Sequence, residues 1–148
     1  MARGRAFTTA AIVIAAAVLT TAALGATAVA PRRYRADLTA ANEVPAPQHV
    51  PKNAGGRFTA ELKGHTLSWT LKFHALGGKV TAADIHLGAK GQAGPVLVPL
   101  CGPCTSPADG TVKLTGAEIA ALGAGKAYVD VHTVKNPNGE VRGQAYKR

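Results

Sequence analysis

Two short stretches of this chain pair a carboxylate with an imidazole at the same spacing: Asp84-Ile85-His86 and Asp130-Val131-His132. Residues two apart lie on one face of a strand. In an extended segment Asp84 and His86 point one way and Ile85 the other. Asp130 and His132 likewise point away from Val129 and Val131. Imidazole nitrogens and carboxylate oxygens are ligands for Zn²⁺ or Cu²⁺. If the two strands are neighbours, four such groups meet on one surface and supply a tetrahedral shell. The plainer alternative is a solvated polar sheet face with a histidine–aspartate hydrogen bond across it.

Other residues with chemical potential are less well placed. Cys101-Gly102-Pro103-Cys104 matches the thioredoxin tetrapeptide, whose first thiol needs a following helix to lower its pKa. Here Thr105-Ser106-Pro107-Ala108-Asp109-Gly110 follows, which reads as loop. These are the only two cysteines, and in an exported chain they read as a local disulfide. A thiol–metal or redox pair is the alternative. Glu43, Asp84, Asp130 and Glu140 could act as acid and base, but spacing fixes no distance between them. His49, His65 and His74 read as solvated. No Gly-x-Ser-x-Gly elbow is present, and Gly88-x-x-Gly91-x-x-Gly94 opens no helix that could cradle phosphate.

The elements that must position these groups are short strands. Leu67, Trp69, Leu71 and Phe73 alternate with polar residues, as do Phe58, Ala60 and Leu62, and Lys63-Gly64 joins the two runs as a hairpin. Further strands are expected at 34–39, 81–87, 96–100, 111–114, 127–133 and 140–146. Asn138-Gly139 predicts a type I′ turn before the last of these, and Asp109-Gly110 predicts another turn. Thr115-Gly116-Ala117-Glu118 has capping-box spacing, so one short helix should follow and stop at Gly123. The fold class is therefore an all-β antiparallel sandwich or barrel with one short helix. Its expected core holds Phe58, Leu62, Leu67, Trp69, Leu71, Phe73, Ile85, Leu87, Val129 and Val131.

At 148 residues the chain has room for one domain. With 47% hydrophobic and 17% charged residues it is no disordered polyelectrolyte. Arg3 and Arg5 precede an uncharged apolar run from Ala6 to Ala30. This reads as an export signal over residues 1–28, cut after Ala26-Thr27-Ala28. The run is also long enough to span a bilayer, so an uncleaved anchor is the rival reading. Loss of Arg3 and Arg5 takes the net charge from +9 to +7. Lysines scattered singly among few aromatics do not describe a nucleic-acid surface. Attraction to anionic polymers is the physical consequence of the charge.

Five motifs in order carry a resemblance: Asn42-Glu43-Val44-Pro45, Leu67-Ser68-Trp69-Thr70-Leu71, Ala83-Asp84-Ile85-His86-Leu87-Gly88, Tyr128-Val129-Asp130-Val131-His132-Thr133, and Asn136-Pro137-Asn138-Gly139-Glu140-Val141-Arg142-Gly143-Gln144. Together they resemble the CHRD domain of chordin and of many exported microbial proteins, over residues 34–146. The resemblance implies an immunoglobulin-like or superoxide-dismutase-like β-sandwich filling residues 29–148. It implies an extracellular or envelope location, and in chordin such domains belong to a binder of growth factors. The family commonly has a second His where this chain has Asp84, and Asn where it has Asp130; His86 and His132 match. Two functions follow as expectations. One is a non-enzymatic exported module that binds an extracellular protein or polymer. The other is a Zn- or Cu-binding protein built on Asp84, His86, Asp130 and His132, with redox or hydrolytic activity.

Overall fold

The computed structural model describes residues 29–148. The segment read as an export signal lies outside them. Among the described residues no helix is long and apolar enough to cross a membrane. The chain runs β1 (Arg32–Thr39), a 3-10 turn at Ala40–Asn42, β2 (Gly55–Lys63), β3 (Thr66–His74), β4 (Val80–Leu87), β5 (Val96–Cys101), β6 (Ala108–Lys113), α1 (Gly116–Gly123), β7 (Ala127–Thr133), β8 (Val141–Gln144) and β9 (Tyr146–Lys147). The strands pair antiparallel in the order β5-β4-β7-β8-β1-β2-β3-β6, and β9 adds to β1. This sheet curls into a near-barrel sandwich around one core.

Alternation decides what the curl encloses. Tyr34, Leu38, Phe58, Leu62, Leu67, Trp69, Leu71, Ile85, Val129, Val131 and Val141 face inward and are buried. Phe73 is half-buried against them. α1 adds Leu122. Thr115 caps the helix as the spacing predicts: its side chain accepts from Glu118 N, and the Glu118 carboxylate accepts from Thr115 N. Cys101 and Cys104 are joined in a disulfide, and the residues after them run as loop into β6 with no helix.

Four local expectations are corrected. Leu87 is 39% exposed rather than core, because it lies at the end of β4 where the sheet runs out. Asp109-Gly110 makes no turn; both residues lie within β6, paired with Thr70 and Trp69. A Cβ on Gly110 would stand 2.8 Å from Trp69 Cζ2, so the glycine makes room for the indole. The turn before β8 is centred one residue earlier than expected. Gly139 N donates to Asn136 O, which puts Pro137 and Asn138 at the corner, and Gly139 alone has positive φ (123°). The helix includes Gly123. Its stop is Gly125 in the left-handed region (φ 68°), with Gly125 N bonded to Leu122 O and Lys126 N to Ala121 O.

Candidate metal centre

β4 and β7 are neighbours, with Asp84 opposite Asp130 and His86 opposite Tyr128. β8 continues the face, placing Arg142 beside Asp130 and Gln144 beside Tyr128. The inner face of these strands is core, so Asp84, His86, Asp130, His132, Arg142 and Gln144 point outward. This outer face is not open to water. Residues 88–95, the segment containing Glu43, and the turn before β8 fold over it. His86 is 8% exposed, and Asp130 and Arg142 are 2% exposed.

The imidazoles are held end to end. His86 Nδ1 donates to Gly94 O at 3.0 Å and His132 Nδ1 to Pro137 O at 3.1 Å. A carbonyl only accepts, so each Nδ1 carries a hydrogen and each neutral ring keeps its lone pair on Nε2. Those two nitrogens face each other at 3.4 Å. Asp84 Oδ2 lies 3.4 Å from His132 Nε2. The three donor atoms of Asp84, His86 and His132 lie within 4.8 Å of one another. Three electron-rich atoms so placed repel unless a cation sits among them. A proton is one such cation. The hydrogen bond to Asp84 raises the His132 pKa above the usual histidine value, and the charges of Asp130 and Asp84 add to this while burial opposes it.

Asp130 stands apart from the trio. Its carboxyl meets that of Glu43, which is itself 5% exposed. Gly139 lets them meet, since a Cβ there would come within 2.6 Å of Glu43 Oε2 and 2.7 Å of Asp130 Oδ1. Burial, and then the Glu43 charge, push the Asp130 pKa up to about 8, against the pull of His132 and Arg142. Glu43 Oε1 accepts from Val44 N at 3.0 Å, whereas Glu43 Oε2 and Asp130 Oδ1 lack hydrogen-bond partners.

Several supporting residues lie in the five sequence motifs, but their roles at the site were not read from the sequence. The Tyr128 ring stacks on His86 (centroids 5.0 Å apart, planes 13° apart), and the Arg142 guanidinium covers its other face 3.3 Å from the centroid. Arg142 Nη2 also donates to Gln92 O (2.6 Å) and Ala89 O (3.3 Å). Gly94 N donates to Tyr128 Oη (3.0 Å). Arg142 and Tyr128 thus fix the loop whose Gly94 carbonyl orients His86. Cross-strand register could have pointed to Tyr128, but nothing in the sequence marks the loop carbonyls. Glu140 is fully buried and secures the other tether. It accepts from Gly77 N, from Thr133 Oγ1 at 2.5 Å and from Asn136 Nδ2 at 3.1 Å, which pins the turn bearing Pro137.

The family model for the CHRD domain matches residues 34–145, nearly all of the described chain. No curated protein and no solved structure matches it. The match spans the strands that carry both histidines, the Asn42–Pro45 segment and the Asn136–Gln144 segment that closes over them. This chain belongs to the CHRD domain family.

Proposed function

We propose that this domain is an extracytoplasmic module that binds one zinc ion through Asp84 Oδ2, His86 Nε2 and His132 Nε2. One observation carries the reading: the distances between these donors. Two atoms each about 2.0–2.1 Å from a tetrahedral zinc stand about 3.3 Å apart. His86 Nε2 to His132 Nε2 and Asp84 Oδ2 to His132 Nε2 are both 3.4 Å; the Asp84 and His86 donors lie within 4.8 Å, and a turn of the Asp84 carboxylate would bring that edge onto the ion. Imidazole and carboxylate donors are ordinary zinc ligands, and the same set would accept Cu²⁺. The outer shell supports the same reading. Both Nδ1 atoms are tied to carbonyls, which fixes tautomer and ring orientation before an ion arrives. Asp130 pairs with Glu43 beside the three donors and is not counted among the ligands. Three protein ligands leave a fourth position for water or for a donor from a bound partner.

Calorimetric titration of chelator-treated protein with ZnCl₂ tests this. One ion per chain is expected, with affinity falling at least ~100-fold in His132→Ala and in His86→Ala. Affinity should also drop as pH falls through the raised His132 pKa, because a proton competes for Nε2. Zinc uptake unchanged in both variants would sink the assignment.

A further inference from the structure

A second feature lies away from the histidines. A groove of about 1310 Å³ crosses the outer face of β1, β2, β3 and β6. It follows the register row Tyr34–Ala60–Trp69–Gly110, whose side chains turn into the core, so its floor is main chain. Its walls are the flanking outward rows and carry hydroxyls: Ser68 and Thr111 on one side, Thr59 and Thr70 on the other. Four strands at about 4.8 Å spacing make it roughly 14 Å long.

The charge of the molecule is gathered around this groove. Arg33, Arg35, Arg57, Lys63, Lys72 and Lys113 point out from the four strands, and Lys147 and Arg148 line one end. Three acids, Asp37, Glu61 and Asp109, share the face. Five of the seven net positive charges on the described residues therefore lie here. Two of the acids position bases as well as offset them. Glu61 holds Arg33 (3.3 Å) and Lys63 (3.0 Å); Asp37 holds Arg35 (2.7 Å) and Arg57 (3.0 Å). Lys72 has no ion pair among the described residues.

We propose that this groove binds an acidic polysaccharide, its carboxylate, sulfate or phosphate groups on the rim bases and its hydroxyls on the Ser/Thr walls. Charge complementarity selects a polyanion, and the hydroxyl walls offer hydrogen bonds to its sugar hydroxyls. Binding of single-stranded nucleic acid rests on rows of aromatic platforms, and this groove offers only Tyr146 from its exposed aromatics.

Two double variants carry the same change of net charge and separate a site from bulk attraction. Arg33→Glu/Lys147→Glu alters the lining of the groove; Lys79→Glu/Lys126→Glu alters exposed positions elsewhere. With fluorescent oligogalacturonate as probe, the first should weaken binding about tenfold or more and the second less than about threefold. Polyphosphate and phosphatidylglycerol vesicles should bind more weakly than the sugar probe. Equal losses in the two variants would overturn the proposal in favour of net charge alone. Tighter binding of polyphosphate or of vesicles would overturn it in favour of a bare phosphate polymer or a membrane.

Discussion

The outer faces of β1–β2–β3 and of β4–β7–β8 are written with the same alternation and end in different environments. On the first, no layer covers the sheet, and Arg33, Arg57, Lys63 and Lys72 are exposed. On the second, three loops cover the sheet and the polar side chains lose their water. In the open face an ion pair such as Arg57–Asp37 is solvated and contributes little, about 0–1 kcal/mol. In the covered face a polar atom without a partner is costly, and the facing Glu43 and Asp130 carboxyls, each with one oxygen unpartnered, mark the place for a shared proton. Period-two patterning says which side a residue takes. The loops decide whether that side is a wet surface or a site.

The largest effect should come from Glu140, which serves three donors in the covered face. Glu140→Ala leaves Gly77 N, Thr133 Oγ1 and Asn136 Nδ2 without their acceptor and should cost about 3–5 kcal/mol in chemical denaturation. A cost below about 1 kcal/mol would mean water reaches this cluster and the two faces do not differ.

A smaller effect of defined sign is expected at Asp130. Its folded-state pKa, about 8, lies above the ordinary carboxylate value. The folded chain thus keeps a proton that the unfolded chain gives up. The stability tied to this group is full below about pH 4 and is lost as pH rises to about 8. Asp130→Asn should therefore stabilise the metal-free protein by about 1–3 kcal/mol more at pH 8 than at pH 4. Thermal melts at the two pH values check this, and a pH-independent difference would contradict it. On the open face Lys72→Ala should change stability by less than about 0.5 kcal/mol; a loss above about 1 kcal/mol would show that this face, too, is energetically built.

The elements were legible wherever burial follows local alternation. β7 falls at Ala127–Thr133 as its pattern predicts, because Val129 and Val131 must reach the core. Local turn chemistry failed where packing overrode it: Asp109-Gly110 became strand so that Trp69 could lie against a residue without a side chain. The site was half legible. Matched Asp-x-His spacing places four groups on one face, but antiparallel register sets Asp84 directly opposite Asp130. Two facing carboxylates part, one toward His132 and the other toward Glu43. Glu43 reaches Asp130 from 87 positions away in sequence, and the Gly94 and Pro137 carbonyls carry no residue-type signal at all. Long-range approach of loops is what the sequence leaves unwritten.

The most direct test of the zinc centre is X-ray absorption at the zinc edge on protein loaded with one equivalent and passed through a desalting column. A four-coordinate shell at about 2.0–2.1 Å, with outer-shell scattering from two imidazoles, is the predicted result. Protein emerging without zinc, or a six-coordinate oxygen shell with no imidazole scattering, would contradict it.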